Sequence, residues 1–125
     1  MATLIELRES LAETISDATG ITAVANLPER PVPPIALVSG AAPYVSYDGG
    51  ATWGEFVVQL RVDLVMSNGT NKVEADAIDT VIQDALVGAI EAGWLVNEVS
   101  APYQLSANNA NYLAVTMNCA KYNKF

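Results

Sequence analysis

The sequence contains no histidine and only one cysteine, Cys119. Without histidine there is no base for a Ser-His-Asp or Cys-His arrangement, so both of these classes of nucleophilic catalysis are excluded. A single cysteine cannot form a disulfide within the chain, which is usual for proteins of a reducing compartment. Cys119 alternates with apolar residues, and we interpret it as a small core side chain rather than a reactive thiol.

Basic residues are also scarce, because six Lys and Arg stand against 14 Asp and Glu, for a net charge of −8. Proteins that bind DNA or RNA neutralise phosphates with lysine and arginine, so direct nucleic-acid binding is not expected. The same charge argues against contact with an anionic membrane. No run approaches the roughly 18 apolar residues of a membrane span, and residues 1–6 do not have the pattern of a signal peptide. We therefore expect synthesis in the cytosol and no membrane contact.

Charged residues make up only 16% of the chain and hydrophobic residues 51%, whereas typical soluble domains are roughly one quarter charged. The 125 residues fit a single domain, 1–125. A domain of this size cannot bury so much apolar surface within itself, and large exposed apolar patches usually mark contacts with other proteins. The composition therefore predicts subunit interfaces.

Two stretches have the three- and four-residue apolar spacing of amphipathic helices. The first runs from Thr3 to about Thr19 and begins with a capping box at Thr3 and Glu6, and the second runs from about Lys72 to Glu91. Strict alternation predicts a long strand at Phe56–Met66, and further strands are predicted at Ile35–Val38, Trp94–Val99 and Asn111–Tyr122. A short extended segment is predicted at Ile21–Leu27. The predicted fold class is α+β, with a mostly antiparallel sheet of about four strands and two amphipathic helices packed on one face.

Residues 46–53 match the S-x-D-x-G-x-T-W pattern of the Asp-box hairpins found in sialidases and other β-propellers. A glycosidase propeller needs several copies of this motif in a far longer chain. We therefore interpret the single copy as a structural hairpin that leads into the long strand. Asp48 is expected to accept backbone N–H groups within the turn and to do no chemistry.

No other motif predicts catalysis, a cofactor or a metal. Asp76 and Asp79 share a helix face, where carboxylates are usually solvated, and Glu55 and Asp63 lie too far apart along one strand to meet. The Gly49-Gly50 pair precedes no helix, as a phosphate-binding loop would require. No spacing suggests a carboxylate pair for acid–base chemistry, although the fold could bring one together. The prediction is a non-enzyme with no catalytic, cofactor-binding or metal-binding residues.

These patterns follow one another in an order that spans nearly the whole chain. The N-terminal helix ends at Gly20-Ile21, the proline-rich segment Pro28–Pro34 leads into Ile35–Val38, and the long strand, second helix and terminal strands follow. In the order of these helices, strands and the proline-rich segment, the chain resembles the tail-terminator proteins of long-tailed (siphovirus) bacteriophages. Proteins of this kind are common among phages of actinobacteria. The resemblance rests on pattern and not on an invariant signature, and the Asp-box hairpin departs from it.

The resemblance implies a structural virion protein of the phage tail or neck, assembled in the host cytoplasm. Such proteins form a hexameric ring on the last ring of the tail tube, end tube polymerisation and present a joining surface to head-completion proteins. DNA passes through the lumen without specific binding, and the family has no catalytic residues or cofactor to transfer. The expected partners are copies of this chain, the tube protein and a connector protein. The expected contact segments are the long strand, Asn26–Pro34 and Ala101–Ala110.

Two alternatives stay open on the sequence alone. Within the same class, the chain could be a head-side connector or stopper protein, or a terminator from a contractile tail or a gene-transfer particle. From a different class, it could be a small acidic ligand-binding or enzymatic domain. Gel filtration with mass measurement separates them, because a ring indicates the first group and a strict monomer with a filled pocket the second.

Overall fold

A computed structural model describes residues 2–26, 32–47, 54–68, 72–107 and 110–125. Over these ranges the chain forms two helices and six strands. In chain order they are α1 (Leu4–Thr19), β1 (Thr22–Val24), β2 (Ile35–Ser46), β3 (Glu55–Asn68), α2 (Lys72–Glu91), β4 (Leu95–Val99), β5 (Tyr103–Ala107) and β6 (Ala110–Lys124). Both predicted helices are confirmed. In the part of the chain that the structure describes, neither helix is long and apolar enough to cross a membrane.

Helix α1 begins and ends at the residues that the sequence predicts. The Thr3 hydroxyl accepts the Glu6 backbone N–H at 3.1 Å, and the Thr3 N–H donates to the Glu6 carboxylate at 3.3 Å, so the capping box is formed. Gly20 ends the helix in the left-handed conformation, with φ of 76°. The residues that α1 buries are Leu7, Leu11, Ala12 and Ile15.

The sheet is larger than predicted and mixed. Its strand order is β1-β2-β3-β6-β4, and β5 also pairs with β6. The prediction of a mostly antiparallel sheet of about four strands was wrong, because β1 pairs parallel to β2 and the segment Ala101–Ala110 contains β5. Strand β1 lies within the extended segment predicted at Ile21–Leu27, although three residues are too few to predict how the strand pairs. In β5, residues 103–106 are all exposed, so no alternation between buried and polar residues marked this strand.

The alternation in β3 is confirmed, and it places one set of its side chains in the core. Val58, Leu60, Val62 and Leu64 have no exposed surface, whereas Arg61 between them is exposed. Strand β6 pairs antiparallel along nearly all of β3 and adds its own alternate residues to the same face. The other large side chains of this core come from both helices, β2 and β6, and are Leu11, Ile15, Ile78, Val38, Val115 and Met117.

The two helices approach each other closely at Gly88 of α2. A Cβ atom built on Gly88 would lie 2.6 Å from the Cβ of Ala18 in α1, closer than two carbon atoms can pack. The three- and four-residue apolar spacing of α2 also includes Ile90, and it predicts burial there, but Ile90 is 60% exposed. The reason is helical geometry, because Ile90 follows the buried Ala89 by about 100° of rotation and so lies on the flank of the helix.

We expect Leu60→Ala to lower the free energy of unfolding by about 2–5 kcal/mol, because a fully buried leucine leaves a cavity when truncated. Urea denaturation followed by circular dichroism measures the change. The matched control is Leu95→Ala, the same substitution at a residue that is 66% exposed, which should shift stability by less than about 0.5 kcal/mol. Equal effects of the two substitutions would contradict the assignment of faces.

We expect Gly88→Ala to destabilise the protein, although alanine favours a helix over glycine by about 1 kcal/mol. The new methyl group forces α1 and α2 apart, and such overpacking costs about 1–3 kcal/mol. In an Ala18→Gly background the clash is absent, so Gly88→Ala should become stabilising. A double-mutant cycle measures this change of sign, and additive effects would contradict the close contact.

Candidate assembly surface

The face of the sheet opposite the helices carries the second set of alternate side chains, and we call it the open face. Within the described ranges, neither helix contributes to the apolar cluster on this face, which is separate from the main core. The residues that β3 and β6 place there, by their register, are Glu55, Val57, Gln59, Arg61, Asp63, Val65, Ala114, Thr116, Asn118, Ala120, Tyr122 and Lys124. The open face therefore combines polar and apolar side chains.

An apolar cluster occupies one end of the open face. Ile35, Val65 and Ala114 are buried there, and the half-buried side chains of Leu37 and Tyr112 pack against them. These residues come from the neighbouring strands β2, β3 and β6. This end of the open face is therefore closed by the chain itself.

A hydrogen-bonded polar belt crosses the middle of the open face. The Arg61 guanidinium donates to the Asp63 carboxylate at 3.0 Å, and the Thr116 hydroxyl donates to the same carboxylate oxygen at 2.9 Å. The Tyr103 hydroxyl lies 3.1 Å from the Thr116 hydroxyl, which extends the belt to β5. Asp63 keeps the pKa of Arg61 above its ordinary value, first through the hydrogen bond and then through its charge. The Arg61 side chain is 49% exposed, so this pair contributes only roughly 0–1 kcal/mol.

A groove occupies the rest of the open face, between two irregular strands. Strand β2 shifts register between Gly40 and Val45, and β4 does so between Val96 and Glu98. Beside them lie two depressions of about 280 and 330 Å³ that share Gln59 and Asn97. The first depression is the apolar end of the groove, and its lining includes Val57, Leu95, Ala120 and Tyr122. The second depression is the polar end, and its lining includes Arg61, Glu98 and Asn118.

Large apolar side chains are exposed along this side of the sheet. Leu95 is 66% and Tyr122 51% exposed, and Tyr103 and Leu105 of β5 are also exposed. The established partner of β5 is β6, which leaves the other edge of β5 without a paired strand in the described part of the chain. Exposed apolar side chains beside an unpaired strand edge are the features by which proteins recruit a further chain.

Charge is divided between the two layers of the protein. Helix α1 contains four acidic residues and one basic residue, and α2 contains five acidic residues and one basic residue. The helices thus account for −7 of the total charge of −8. Strands β3, β4 and β6 contain three acidic and three basic residues and are neutral together.

The carboxylates considered in the sequence analysis do not come together. Asp76 and Asp79 lie exposed on α2, Asp63 belongs to the polar belt, and Glu55 stands at the start of β3. No group of three or more potential metal ligands occurs among the residues that the structure describes.

Residues 48–53 of the Asp-box motif, including Asp48, lie outside the described residues. The pairs Val45↔Val58 and Ser46↔Val57 confirm that the strands on either side of the motif are antiparallel neighbours.

Sequence reasoning missed the polar belt. The two-residue spacing of Arg61 and Asp63 places them on one face of a strand and could have indicated their ion pair. Thr116 is 53 residues away from Asp63 in the chain, and only the pairing of β3 with β6 brings them together. The exposed apolar residues of β5 were missed with the strand itself.

Cys119 is fully buried in the core, and burial raises the pKa of its thiol from 9.0 to about 11. We expect the folded protein at pH 8 to resist thiol labelling reagents and to react rapidly once unfolded. Because the folded pKa exceeds the unfolded one, the thiol's contribution to stability is present below about pH 9 and is lost as pH rises towards 11. Rapid labelling of the native protein would contradict the burial of Cys119. The substitution Cys119→Ala should flatten the dependence of stability on pH between about pH 9 and pH 11.

A comparison of the chain with protein-family models and with curated proteins finds no match in either. The surface best suited to bind a partner is the groove on the open face together with the exposed residues of β4, β5 and β6.

Proposed function

We propose that the protein is a structural virion protein of a long-tailed bacteriophage. In this proposal it forms a ring, hexameric as in the tail-terminator proteins that the sequence resembles. The ring caps the tail tube, ends tube polymerisation and provides the surface that joins the tail to the head. Its place is the tail or neck of the virion, its partners are the tube protein and a connector protein, and it has neither catalytic residues nor a cofactor.

The observation that carries the proposal is the set of exposed apolar side chains on and beside the open face. Leu95, Tyr103, Leu105 and Tyr122 are all large and all at least one-third exposed. Protein interfaces typically bury about 800 Å² on each partner, with aromatic and aliphatic anchors near the centre. A groove that carries such side chains on a two-layer domain is suited to binding protein surfaces.

The distribution of charge supports the proposed passage of DNA. The helix layer carries −7, and like charge keeps phosphates from adhering. Among the basic residues of the strands, Arg61 is paired with Asp63, and the Lys121 ammonium donates to the Ala92 carbonyl at 3.3 Å. A ring of such subunits can surround DNA without holding it.

The direct test adds the purified protein to tube subunits while they polymerise. We expect shorter tubes, with a ring visible at one end by electron microscopy, because a bound cap blocks further addition. The control is an unrelated protein of equal size and charge, which separates capping from a general effect of acidic protein.

Tubes of unchanged, uncontrolled length would contradict the terminator function. Binding to the head-side connector without any effect on tubes would favour the stopper alternative instead. Duplex DNA that binds the protein below micromolar concentration, with affinity falling as salt rises, would contradict the proposed passive lumen.

A further inference from the structure

We propose that the pocket between α1 and β2 binds a carboxylate through the guanidinium of Arg8. The ligand is a singly charged carboxylate that carries an apolar group, either a free small acid or an acidic side chain of a protein. The pocket lies on the helix side of the sheet, apart from the groove on the open face. The inference therefore goes beyond the proposed function and does not depend on the ring.

The pocket has the size of a small-ligand site. Its volume is about 610 Å³, larger than the two depressions of the groove, and ligand pockets usually measure roughly 300–1,000 Å³. Arg8 is the one charged residue that lines it in the described part of the chain. The lining comes from the start of α1, the residues after β1 and the strand β2, and it includes Leu4, Arg8, Ala25, Asn26, Val38 and Tyr44.

Tyr44 forms one wall of the pocket, and the backbone beneath it fixes its position. A Cβ atom built on Gly40 would lie 2.8 Å from the Cδ2 atom of Tyr44, so the ring rests directly on the backbone of β2. Leu4 and Tyr44 both pack against the main core. Apolar side chains held in this way provide a preformed surface for the apolar part of a ligand.

The guanidinium of Arg8 has donors that the chain does not use. Its Nη1 amino group donates to the Ala25 carbonyl at 2.9 Å, which is the one hydrogen bond that Arg8 makes within the described residues. Its Nε is buried and has no acceptor there, and a buried donor without an acceptor is unfavourable. The Arg8 side chain as a whole is half-buried, so a ligand in the pocket reaches the guanidinium.

None of the described carboxylates pairs with Arg8, although the sequence contains 14 acidic residues. The positions three and four residues away on α1, where a helical partner would stand, hold only the apolar residues Leu4, Ile5, Leu11 and Ala12. A planar guanidinium donates two parallel hydrogen bonds to a carboxylate, which matches its geometry. The unused donors of Arg8 therefore point to a carboxylate from outside the chain.

The surroundings of the pocket select one negative charge rather than two. Glu9 and Glu13 line a neighbouring hollow that shares Ala25 and Asn26 with the pocket. A phosphate group carries about −1.5 to −2 at neutral pH, and it would meet a single cation with two carboxylates close by. A carboxylate brings one charge for the one guanidinium, while its apolar group contacts the wall of the pocket.

Ligand-observed NMR tests the binding, because saturation transferred from the protein to a probe measures the affinity of that probe. Butyrate represents the free acid, and a tripeptide with blocked ends and a central glutamate represents the acidic side chain. The uncharged matches are butyramide and the same tripeptide with glutamine, and inorganic phosphate is added as a competitor. Arg8→Gln removes the charge, and the matched control Arg61→Gln removes an arginine that is already paired on the open face.

We expect the wild type and Arg61→Gln to bind butyrate more tightly than butyramide by about tenfold or more, and Arg8→Gln to lose this preference. Arg8→Lys should keep part of it, because an ammonium retains the charge without the planar fork. Circular dichroism checks that each variant is folded. Binding of the glutamate peptide in preference to its glutamine match identifies a protein side chain as the source, and binding of butyrate without the peptide identifies a free acid.

Three results would overturn the inference. The first is equal or absent binding of the charged and uncharged probes to the wild type. The second is a preference for the carboxylate that survives intact in Arg8→Gln. The third is phosphate that displaces butyrate at concentrations below those at which butyrate itself binds, because the site would then select the higher charge.

Discussion

The strict alternation of side chains along β3 is a constraint that decides which residues of the sheet enter the core and which face away from the helices. Successive residues of a strand point to opposite faces, so the four fully buried residues from Val58 to Leu64 commit one face to the helices. A slip of one residue would move Arg61 and Asp63 into the core, where an ion pair is costly. Strand β6 repeats the alternation in register with β3, and the core and the open face are therefore fixed together.

This constraint also explains the division of charge and the surface left for assembly. The helices bury one stripe each and carry the acidic residues on their remaining surface, while the open face is nearly neutral. Bulges in β2 and β4 form a groove beside the β3 and β6 residues of this face, with apolar side chains at one end. An acidic layer and a neutral, partly apolar layer in one small domain give it two unlike surfaces. The proposed ring requires two unlike surfaces of this kind on each subunit.

The sequence predicted those parts of the fold in which burial leaves a periodic signal. Both helices, the burial of Leu60 and Cys119 and the course of β3 followed from such periodicity. The extended segment that contains β1 was predicted, but its parallel pairing with β2 was not, and β5 was missed because residues 103–106 are all exposed. The groove depends on register shifts that no local pattern shows. The composition therefore predicted that the protein has apolar surface for contacts with other proteins, but it did not show which residues form that surface.

In the proposed assembly the open face is covered, and thiol labelling at that face measures whether it is. Leu95→Cys introduces an accessible thiol, whereas the native Cys119 is buried and stays silent under the same conditions. The labelling rate is measured at increasing protein concentration, across the range in which the assembled species appears. We expect labelling to slow by about tenfold or more as assembly proceeds. An unchanged rate in the fully assembled protein would contradict it.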